Sequence, residues 1–511
     1  MSLRTTPPSL STSSPRTKSI NSLKKIIGRD RTSRPRPVFC EVTYPLRHNP
    51  CKFAIGLQIC IDCCRFSSLS NRLNNGFATQ KCHKWHFCDA IDTTMIIQRP
   101  YYLNRLLKSK HNGLVKIVTG IRRCGKSYLL FELFHRHLVE SGIDESHIIE
   151  VALDDRIYAS LRDPDKMLAY VRDRITDQQQ YYVILDEVQL LDEFVDVLNS
   201  LLHIRNADVY VTGSNSRFLS SDIVTEFRGR GEQIHIYPLS FAEYFSAFDG
   251  DKRDAWKEFY TYGGLPKVME LADDESKANY LRDLYKTVYL QDVKERHRIK
   301  NESELEELAC ILASAIGGST NPTKLSKTFK STKQISISSR TITHYIDYMI
   351  DAFLIEKSIR YNIKGKKYIN TLAKHYFTDL GLRNAILDFR QQEETHIMEN
   401  IIYNELRIRG FMVDVGCVEQ KTTDHNGKTV RRLLEVDFVA NKGSKRYYIQ
   451  SAFAMPTPEK EVQEKRSLIA SQDSFKKIIV TGNDIKAKRD NYGIVTMSIY
   501  DFLLNSDSLN F

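Results

Sequence analysis

The stretch "VTGIRRCGKS", residues 118–127, carries the strongest structural signal in the chain. An apolar run ends at Gly120, and a segment with the apolar spacing of a helix begins at Lys126. From Gly120 to Ser127 the residues follow the pattern G-x-x-x-x-G-K-S, in which a glycine-rich turn aims backbone N–H groups at phosphate oxygens. The sequence therefore predicts a phosphate-binding loop (P-loop) between a strand and a helix.

The residues of this loop have predicted roles in holding a nucleotide. Lys126 would place a positive charge at the β- and γ-phosphates, and the Ser127 hydroxyl would ligate Mg²⁺. The following helix would present its positive N-terminal end to the same anion. The predicted nucleotide-binding residues are Gly120, Ile121, Arg122, Arg123, Cys124, Gly125, Lys126, Ser127 and, from a later strand, Asp186.

A second predicted strand ends in a pair of acids. The run "YYVILDEVQLL", residues 181–191, is apolar enough for a buried strand and contains Asp186 and Glu187. An aspartate at a strand end can hold the water shell of Mg²⁺, and an adjacent glutamate can polarise the attacking water. In isolation these would be two solvated acids after a core strand. Beside the P-loop, we predict a metal site at Ser127 and Asp186 and a catalytic role for Glu187.

A third strand, "ADVYVTGS" at residues 207–214, brings polar side chains to the same edge of the sheet. Asn215, which lies between Ser214 and Ser216, is predicted to sense the γ-phosphate and to orient the water. Together with "HIIEVALDD" at residues 147–155, these runs predict a parallel α/β sheet that binds the nucleotide at the carboxyl ends of its strands.

Two arginines ahead of the next strand are candidates for an arginine finger, which stabilises charge in the transition state of phosphoryl transfer. They are Arg228 and Arg230, and Arg230 is the preferred catalytic candidate. The finger could act within its own chain or on a neighbouring subunit of a homo-oligomer. The alternative is a surface arginine that closes a loop.

The bulk composition limits the class of protein. A chain of 511 residues is too long for one hydrophobic core, so we expect about two to four domains. No run approaches the roughly 18 apolar residues of a membrane span, and residues 1–15 lack the apolar segment of a signal peptide. These features predict a cytoplasmic protein without membrane association.

The net charge of +11 belongs almost entirely to the N-terminal segment. Residues 1–94 contain 15 Lys and Arg against 5 Asp and Glu, leaving 59 of the 74 basic and 58 of the 63 acidic residues for the rest. The charge therefore gives no indication that the remainder binds DNA.

Seven of the ten cysteines also lie before residue 90. Cys60 and Cys63, and the run from Cys82 to Cys88, offer zinc-binding residue types, but the spacings match no zinc-finger pattern. Residues 1–94 are predicted to form a disordered, basic, cysteine-rich extension. A second interpretation places them upstream of a true start at Met95, where periodic sequence begins abruptly.

Taken in order, the motifs GIRRCGKS, ILDEVQ, VTGSNS and RGRGEQIHIYPLSFAEYF resemble those of prokaryotic AAA-family ATPases that carry a C-terminal region of unknown function. The stretches YGGLPKVMEL (262–271), YLQDVKERHRI (289–299) and YIDYMIDAFLIEKSIRY (345–361) resemble the same group, so the resemblance extends from Met95 to the C-terminus. It implies a AAA-type fold with ATP and Mg²⁺ bound between a sheet and a helical lid, and ATP hydrolysis as the activity.

The predicted ATPase core covers residues 95–240, and the helical lid and connector cover 241–300, where Gly263 and Gly264 form a tight turn. Residues 301–372 are predicted to form a winged-helix-like module. Its second helix would be capped by Ser338 or Ser339 and would bury a stripe at Ile342, Tyr345, Ile346, Met349 and Phe353.

The wing of this module would be two strands joined at residues 364–366. Winged helices often bind DNA, whereas such modules in AAA proteins often serve only as packing units. Both interpretations stay open, so DNA is a candidate partner.

The last region, residues 373–511, resembles the core of restriction-endonuclease-like nucleases. Glu399 on a helix, Asp437 on a strand and Gln450 on a later strand correspond to the positions that hold Mg²⁺. Such cores also need a lysine two residues after the last ligand, where this chain has Ala452, and a neutral glutamine is a weak ligand for a hard cation. We therefore predict an inactive nuclease-like α/β domain, with Lys445 or Lys465 as possible substitutes for the missing lysine.

The sequence thus predicts Mg²⁺-dependent ATP binding and hydrolysis by a P-loop ATPase core, coupled to a winged-helix-like module and a nuclease-like domain. Two alternatives remain: an ATP-gated DNA nuclease, and a nucleotide-switched DNA-binding regulator with little turnover.

Overall fold

The computed structural model describes residues 96–213, 229–299, 301–423 and 429–511. The predicted N-terminal extension with its cysteines lies outside the described residues, as do Ser214, Asn215, Ser216 and Arg228. In the part of the chain that is described, no helix is long and apolar enough to cross a membrane.

The first sheet has five strands, all parallel, in the order β2-β3-β4-β1-β5. All residues of β1 and β3 are buried, as expected for a parallel sheet covered on both faces. The predicted parallel sheet is therefore confirmed. Its strands are β1 (Val115–Thr119), β2 (Ile148–Ala152), β3 (Tyr181–Asp186), β4 (Ala207–Gly213) and β5 (Gly231–His235).

Helices cover both faces of this sheet. On one face of the sheet, Leu133 and Phe134 pack with Tyr182 and Tyr210. On the other face, Met167 packs with the strand side chains that point to that side. The helices are α1 (Pro100–Lys108), α2 (Lys126–Tyr128, the π-helical Leu129–Phe134 and His135–Glu140, in one run), α3 (Pro164–Arg174) and α4 (Phe194–Leu201), with 3₁₀ turns at Glu145–His147, Arg156–Arg162 and Val188–Leu190.

A helical region follows the sheet. It contains the turn at Gly263 and Gly264, where a side chain on Gly263 would overlap the Asp379 carboxylate and φ is +78°. The Ser338 side chain caps α11 by accepting from Thr341 N–H. The helices are α5 (Phe241–Ser246), α6 (Lys252–Tyr262), α7 (Pro266–Met269), α8 (Asp274–Leu284, the π-helical Tyr285–Leu290 and Gln291–His297, in one run), α9 (Glu302–Ser314), α10 (Pro322–Lys333) and α11 (Ser339–Asp351).

The second sheet has nine strands in the order β13-β14-β12-β11-β10-β9-β7-β8-β6. Its strands are β6 (Ser319–Thr320), β7 (Ile355–Asn362), β8 (Lys367–Phe377), β9 (Met412–Thr423), β10 (Thr429–Lys442), β11 (Lys445–Ala452), β12 (Lys476–Thr481), β13 (Lys488–Arg489) and β14 (Val495–Ser498). Helix α12 (Leu380–Ile386) follows β8, and α13 (Glu394–Ile408), α14 (Pro458–Ala470), α15 (Ile499–Leu504) and a 3₁₀ turn at Ser508–Asn510 complete the region.

The predicted wing, the hairpin of β7 and β8, belongs to this second sheet. Strand β7 pairs in parallel with β9, with Arg360 opposite Val415. The predicted boundary at residue 372 falls inside β8, because residues 373–377 are all buried and the strand continues into the core. The hairpin and the C-terminal region therefore form one sheet.

Candidate nucleotide site

The P-loop connects the carboxyl end of β1 to the start of α2. Gly120 has φ of +148°, and a side chain there would overlap the carbonyl oxygen of Ile236. Gly125 has φ of +94°, a conformation that L side chains rarely adopt. Both glycines of the motif are thus required by the backbone path.

Lys126 lies at the first position of α2 and is 5% exposed. Its Nζ donates to the carbonyl oxygens of Gly120 and Ile121, at 3.1 and 3.2 Å. These partners are neutral, so the ammonium charge is not compensated by a carboxylate at either contact. The loop holds a positive charge at the place where the motif predicts phosphate.

The acid at the end of β3 meets the P-loop hydroxyl. Asp186 is 6% exposed and accepts hydrogen bonds from Ser127 and from Thr212. Burial raises the pKa of Asp186, and although the Thr212 and Ser127 hydrogen bonds act in the opposite direction, the pKa stays above its ordinary value. A hydroxyl and a carboxylate side by side are oxygen donors of the kind that Mg²⁺ prefers, so Ser127 and Asp186 fit the predicted metal.

Glu187 follows Asp186 in a left-handed backbone conformation with φ of +48°. A non-glycine residue there carries strain of order 1–2 kcal/mol, which the surrounding contacts must offset. Its N–H donates to Thr212 Oγ1 at 3.0 Å, and its carboxylate accepts from the Gln189 amide. Thr212 thus positions both acids, a role that sequence patterns did not indicate.

A cavity of about 560 Å³ adjoins these groups, a size common for small-molecule sites. Its walls combine the charged side chains of the loop and strand ends with apolar groups. The lining residues include Arg122, Arg123, Lys126, Ser127, Glu187, Ile97, Leu239 and Pro266.

A buried arginine from outside the motif supports the loop. Arg99, 1% exposed, donates from Nη1 to the Cys124 carbonyl at 2.8 Å and from Nη2 to the Tyr237 carbonyl at 2.8 Å. It also pairs with Glu243 at 3.2 Å. No local pattern marks Arg99; its only sequence signal is its position just before Pro100 at the start of α1.

Helix α8, in the predicted lid, touches the P-loop directly. Tyr289 Oη donates to the Arg122 carbonyl at 2.7 Å, and Arg122 Nε lies 2.9 Å from Asp292 Oδ2. The Arg123 guanidinium lies 5.9 Å from the centre of the Tyr280 ring. One helix therefore contacts two successive residues of the loop.

Comparisons with known proteins agree with this geometry. Residues 112–245 match a family described as "AAA domain", and residues 253–393 match a domain of unknown function. An uncharacterized protein of Haemophilus influenzae is 31% identical over 415 residues, which is 80% of this chain and 99% of that protein. The chain belongs to the same family. An uncharacterized protein of Methanocaldococcus jannaschii is 28% identical over 423 residues, 80% of this chain and 87% of that protein.

Among solved structures, Aeropyrum pernix ORC1 in complex with DNA is 11% identical, with 57% of this chain and 92% of that chain covered and a TM-score of 0.28. AMPPCP-bound DnaA from Aquifex aeolicus is 13% identical, with 49% and 86% covered and a TM-score of 0.26. Such scores support no inference about this chain. The five-stranded parallel sheet, the P-loop and the family match identify its first region as a AAA domain of the P-loop type.

Arg230 lies at the other end of the AAA domain. Its carbonyl accepts from Val115 N–H at 2.9 Å, at the amino end of β1, and its exposed side chain donates to Asn199 at 3.2 Å. Because the P-loop leaves the carboxyl end of β1, Arg230 is remote from Lys126 of its own chain. A finger role within the same chain does not fit this position, and a role on a neighbouring subunit stays a prediction.

The predicted nuclease-like residues are only partly brought together. Glu399 and Asp437 both lie near Lys374, at 2.9 and 4.0 Å from its Nζ. The Gln450 side chain lies between the Asp437 backbone and α14: its Oε1 accepts from the Asp437 N–H at 3.4 Å and from Ser467 at 3.5 Å, and its Nε2 donates to Glu464 at 3.3 Å.

The lysine beside the acids is therefore Lys374 on β8, a residue that the sequence did not indicate. Ala452 is buried, and Lys465 pairs with Glu461 and Asp490, at 2.6 and 2.7 Å, rather than with the acids. Lys445 begins β11.

Proposed function

We propose that the AAA domain binds ATP with Mg²⁺ and hydrolyses the bond to the γ-phosphate. The observation that supports this most directly is the hydrogen bond between Ser127 and Asp186, next to a cavity that Lys126, Ser127 and Glu187 line. A phosphate chain over Lys126 and a metal between the two oxygen donors would satisfy all three side chains.

In this proposal each residue contributes one step. Lys126 leaves its carbonyl partners to bind the β- and γ-phosphates, and the loop N–H groups orient them. Ser127 and Asp186 would hold Mg²⁺, which when bound would supply positive charge for the phosphate oxygens. Glu187 orients and polarises the water for in-line attack, and its own orientation depends on Thr212 and Gln189.

Two substitutions separate binding from turnover. Lys126→Ala is expected to abolish ATP binding, and Glu187→Gln is expected to keep ATP binding and lose hydrolysis. Fluorescent ATP-analogue titration and steady-state phosphate release measure the two effects. The exposed residues Lys166 and Glu193 supply the matched controls Lys166→Ala and Glu193→Gln. Equal hydrolysis by Glu187→Gln and wild type would refute the assignment.

We also propose that α8 transmits the nucleotide state to the C-terminal region. Tyr289 contacts the P-loop carbonyl through its hydroxyl, while its ring lies in one apolar cluster with Leu305 of α9 and Met349 of α11. A shift of the loop on nucleotide binding would therefore reach α9 and α11 through packed side chains.

Tyr289→Phe removes the hydroxyl and keeps the ring. Hydrogen exchange in α9 and α11 is expected to change on ATP binding in wild type and to change less in this variant. An identical response in both proteins would contradict the coupling. The ATP affinity of Tyr289→Phe, measured alongside, distinguishes lost coupling from lost binding.

A DNA-binding regulator is the second candidate, favoured by the pairing of β7 with β9. The tip of the β7–β8 hairpin exposes Lys364, Lys366 and Lys367, and the adjacent β9–β10 hairpin exposes Arg431 and Arg432. Five cationic side chains at neighbouring hairpins suit a phosphate backbone.

Replacing the three hairpin-tip lysines by Glu is expected to weaken duplex binding and to lower its salt slope by about 0.9 per lost phosphate contact. The same charge change at the exposed Lys166, Lys257 and Lys286 is the control. Equal duplex binding by the two triple variants would exclude the hairpin tip as the contact surface.

A further inference from the structure

A buried acidic cluster in the C-terminal region has a lysine at its centre. Glu399 comes from α13, Glu435 and Asp437 come from β10, and Lys374 comes from β8. Lys374 Nζ lies 2.9 Å from Glu399, 2.8 Å from Glu435 and 4.0 Å from Asp437. Lys374 is 4% exposed and the Glu399 and Asp437 side chains are buried with it, whereas the Glu435 side chain is 33% exposed.

The carboxylates also have further protein donors. Tyr376 Oη donates to Glu399 Oε1 at 2.7 Å, the Ser451 N–H donates to Asp437 Oδ2 at 2.8 Å, and the Arg360 guanidinium donates to Glu435 Oε2 at 2.8 Å. The loop at Gly317 closes on the remaining side, since a Cβ at Gly317 would lie 2.9 Å from Glu399 Oε2.

The electrostatics of the cluster centre on Lys374. Burial lowers the pKa of Lys374, but the charges of Glu399, Asp437 and Glu435 outweigh it and hold the pKa above its ordinary value. Burial and the charge of Glu399 raise the pKa of Asp437 well above its ordinary value. Burial raises the pKa of Glu399, but the His396 hydrogen bond and the charge of Lys374 outweigh burial and bring the pKa below its ordinary value. Two cations, Lys374 and Arg360, thus lie among the three carboxylates.

The donor set does not fit the divalent cation of a nuclease core. Gln450 is a neutral amide whose Oε1 already accepts from the Asp437 N–H and whose Nε2 donates to Glu464, and the position two residues later is Ala452. A divalent cation at the centre of this cluster would have to displace an ammonium group that hydrogen-bonds to two carboxylates.

We propose that the Lys374 ammonium group is the resident cation of this cluster and occupies the place that a divalent cation takes in a metal-dependent nuclease core. The C-terminal region then needs no metal for its structure and has no metal-activated water for cutting DNA. The cluster instead ties the β7–β8 hairpin to α13 and β10 by ionic contacts.

The test compares Mn²⁺ binding to the full chain without nucleotide, followed by electron paramagnetic resonance. Lys374→Met keeps the length of the side chain and removes its charge, which leaves three carboxylates without their central cation. This variant is expected to bind one Mn²⁺ at least about tenfold more tightly than wild type and to gain thermal stability on Mn²⁺ addition. Adding Asp437→Asn to it is expected to abolish that gain, which locates the ion.

Lys357→Met, an exposed lysine of the same hairpin, is the matched control and is expected to behave as wild type. Mn²⁺ binding by wild type that Glu399→Gln removes would overturn the proposal, as would plasmid cleavage by wild type that Asp437→Asn removes. If Lys374→Met does not fold, the wild-type titration and the cleavage assay decide the question. None of these measurements uses ATP, so they are independent of the proposed ATPase activity.

Discussion

Two buried lysines, Lys126 of the AAA domain and Lys374 of the second sheet, differ in their contacts. Among the described residues, the hydrogen-bond partners of Lys126 are two backbone carbonyls, and its side chain lines a cavity of about 560 Å³. Lys374 of the second sheet contacts Glu399 and Glu435 directly. A lysine that contacts neutral oxygens can exchange them for an anion from solution. A lysine paired with two acids cannot make that exchange without leaving the charges of the carboxylates uncompensated. Only the first arrangement suits a binding site for phosphate.

The matched substitutions Lys126→Met and Lys374→Met test this difference, and we expect the largest effects here. Lys126→Met should lose ATP binding, by about two orders of magnitude or more, and keep its stability. Lys374→Met should keep ATP affinity and lose about 3–5 kcal/mol of stability, because it leaves buried carboxylates without their partner. Isothermal titration and chemical denaturation measure the two quantities. A variant that changes both properties together would contradict the comparison.

Arg99 provides a buried cation with both kinds of partner, since it contacts loop carbonyls and also pairs with Glu243. Arg99→Met should lower the free energy of unfolding by about 3–5 kcal/mol through the unpaired Glu243. It should weaken ATP binding as well, because the Cys124 carbonyl loses its donor. The double variant Arg99→Met/Glu243→Gln should recover part of the stability and none of the affinity. Recovery of both would show that Arg99 acts on the loop only through the fold.

Asp379 is a buried carboxylate whose partners are backbone N–H groups, including that of Gly264 at 2.8 Å. Burial raises its pKa to about 6, although the N–H donors act to lower it. Because the folded-state pKa exceeds the ordinary value, this group stabilises the fold most at low pH. The free energy of unfolding should fall by roughly 3 kcal/mol as the pH rises from about 4 through about 6.

Asp379→Asn should remove this part of the pH dependence, measured as the difference in unfolding free energy between variant and wild type across that range. A difference that does not change with pH would contradict the assignment. The contrast with Glu399, whose pKa is lowered with Lys374 beside it, would show what a neighbouring cation does to a buried acid.

Gln450 should give the smallest effect. Its hydrogen bonds with Glu464, Ser467 and the Asp437 N–H are long, at 3.3, 3.5 and 3.4 Å, so Gln450→Ala is expected to cost only about 1 kcal/mol. Mn²⁺ binding and ATP turnover should not change. Mn²⁺ binding by wild type that Gln450→Ala removes would restore Gln450 as a ligand and contradict the proposal for Lys374.

The sequence predicted the parts of the AAA domain that depend on contiguous residues. The P-loop is one such part, because its glycines, Lys126 and Ser127 lie within eight residues of one another. Asp186 could be located because parallel strands end at one edge, so a carboxylate after an apolar run must lie near the loop. These inferences need only local pattern and one topological rule.

Arg99, Thr212 and Tyr289 were missed for the opposite reason. Each acts on the site from a segment that is distant in sequence. Thr212 and Tyr289 lie in stretches with recognisable motifs, but no local pattern shows which group their side chains contact. Lys374 was missed because β7 pairs in parallel with β9, which brings a strand assigned to the wing into the acidic cluster. A pairing between strands more than 50 residues apart leaves no periodic signal in either strand.

The continuity of β8 across residue 372 bears on how this protein can be dissected. A fragment that starts or stops there would cut a strand whose second half is buried, and would separate Arg360 from Glu435 while leaving Lys374 on a frayed edge. The hairpin and the C-terminal sheet should therefore melt in a single calorimetric transition, and useful truncation points lie at the helical connector rather than within the sheet.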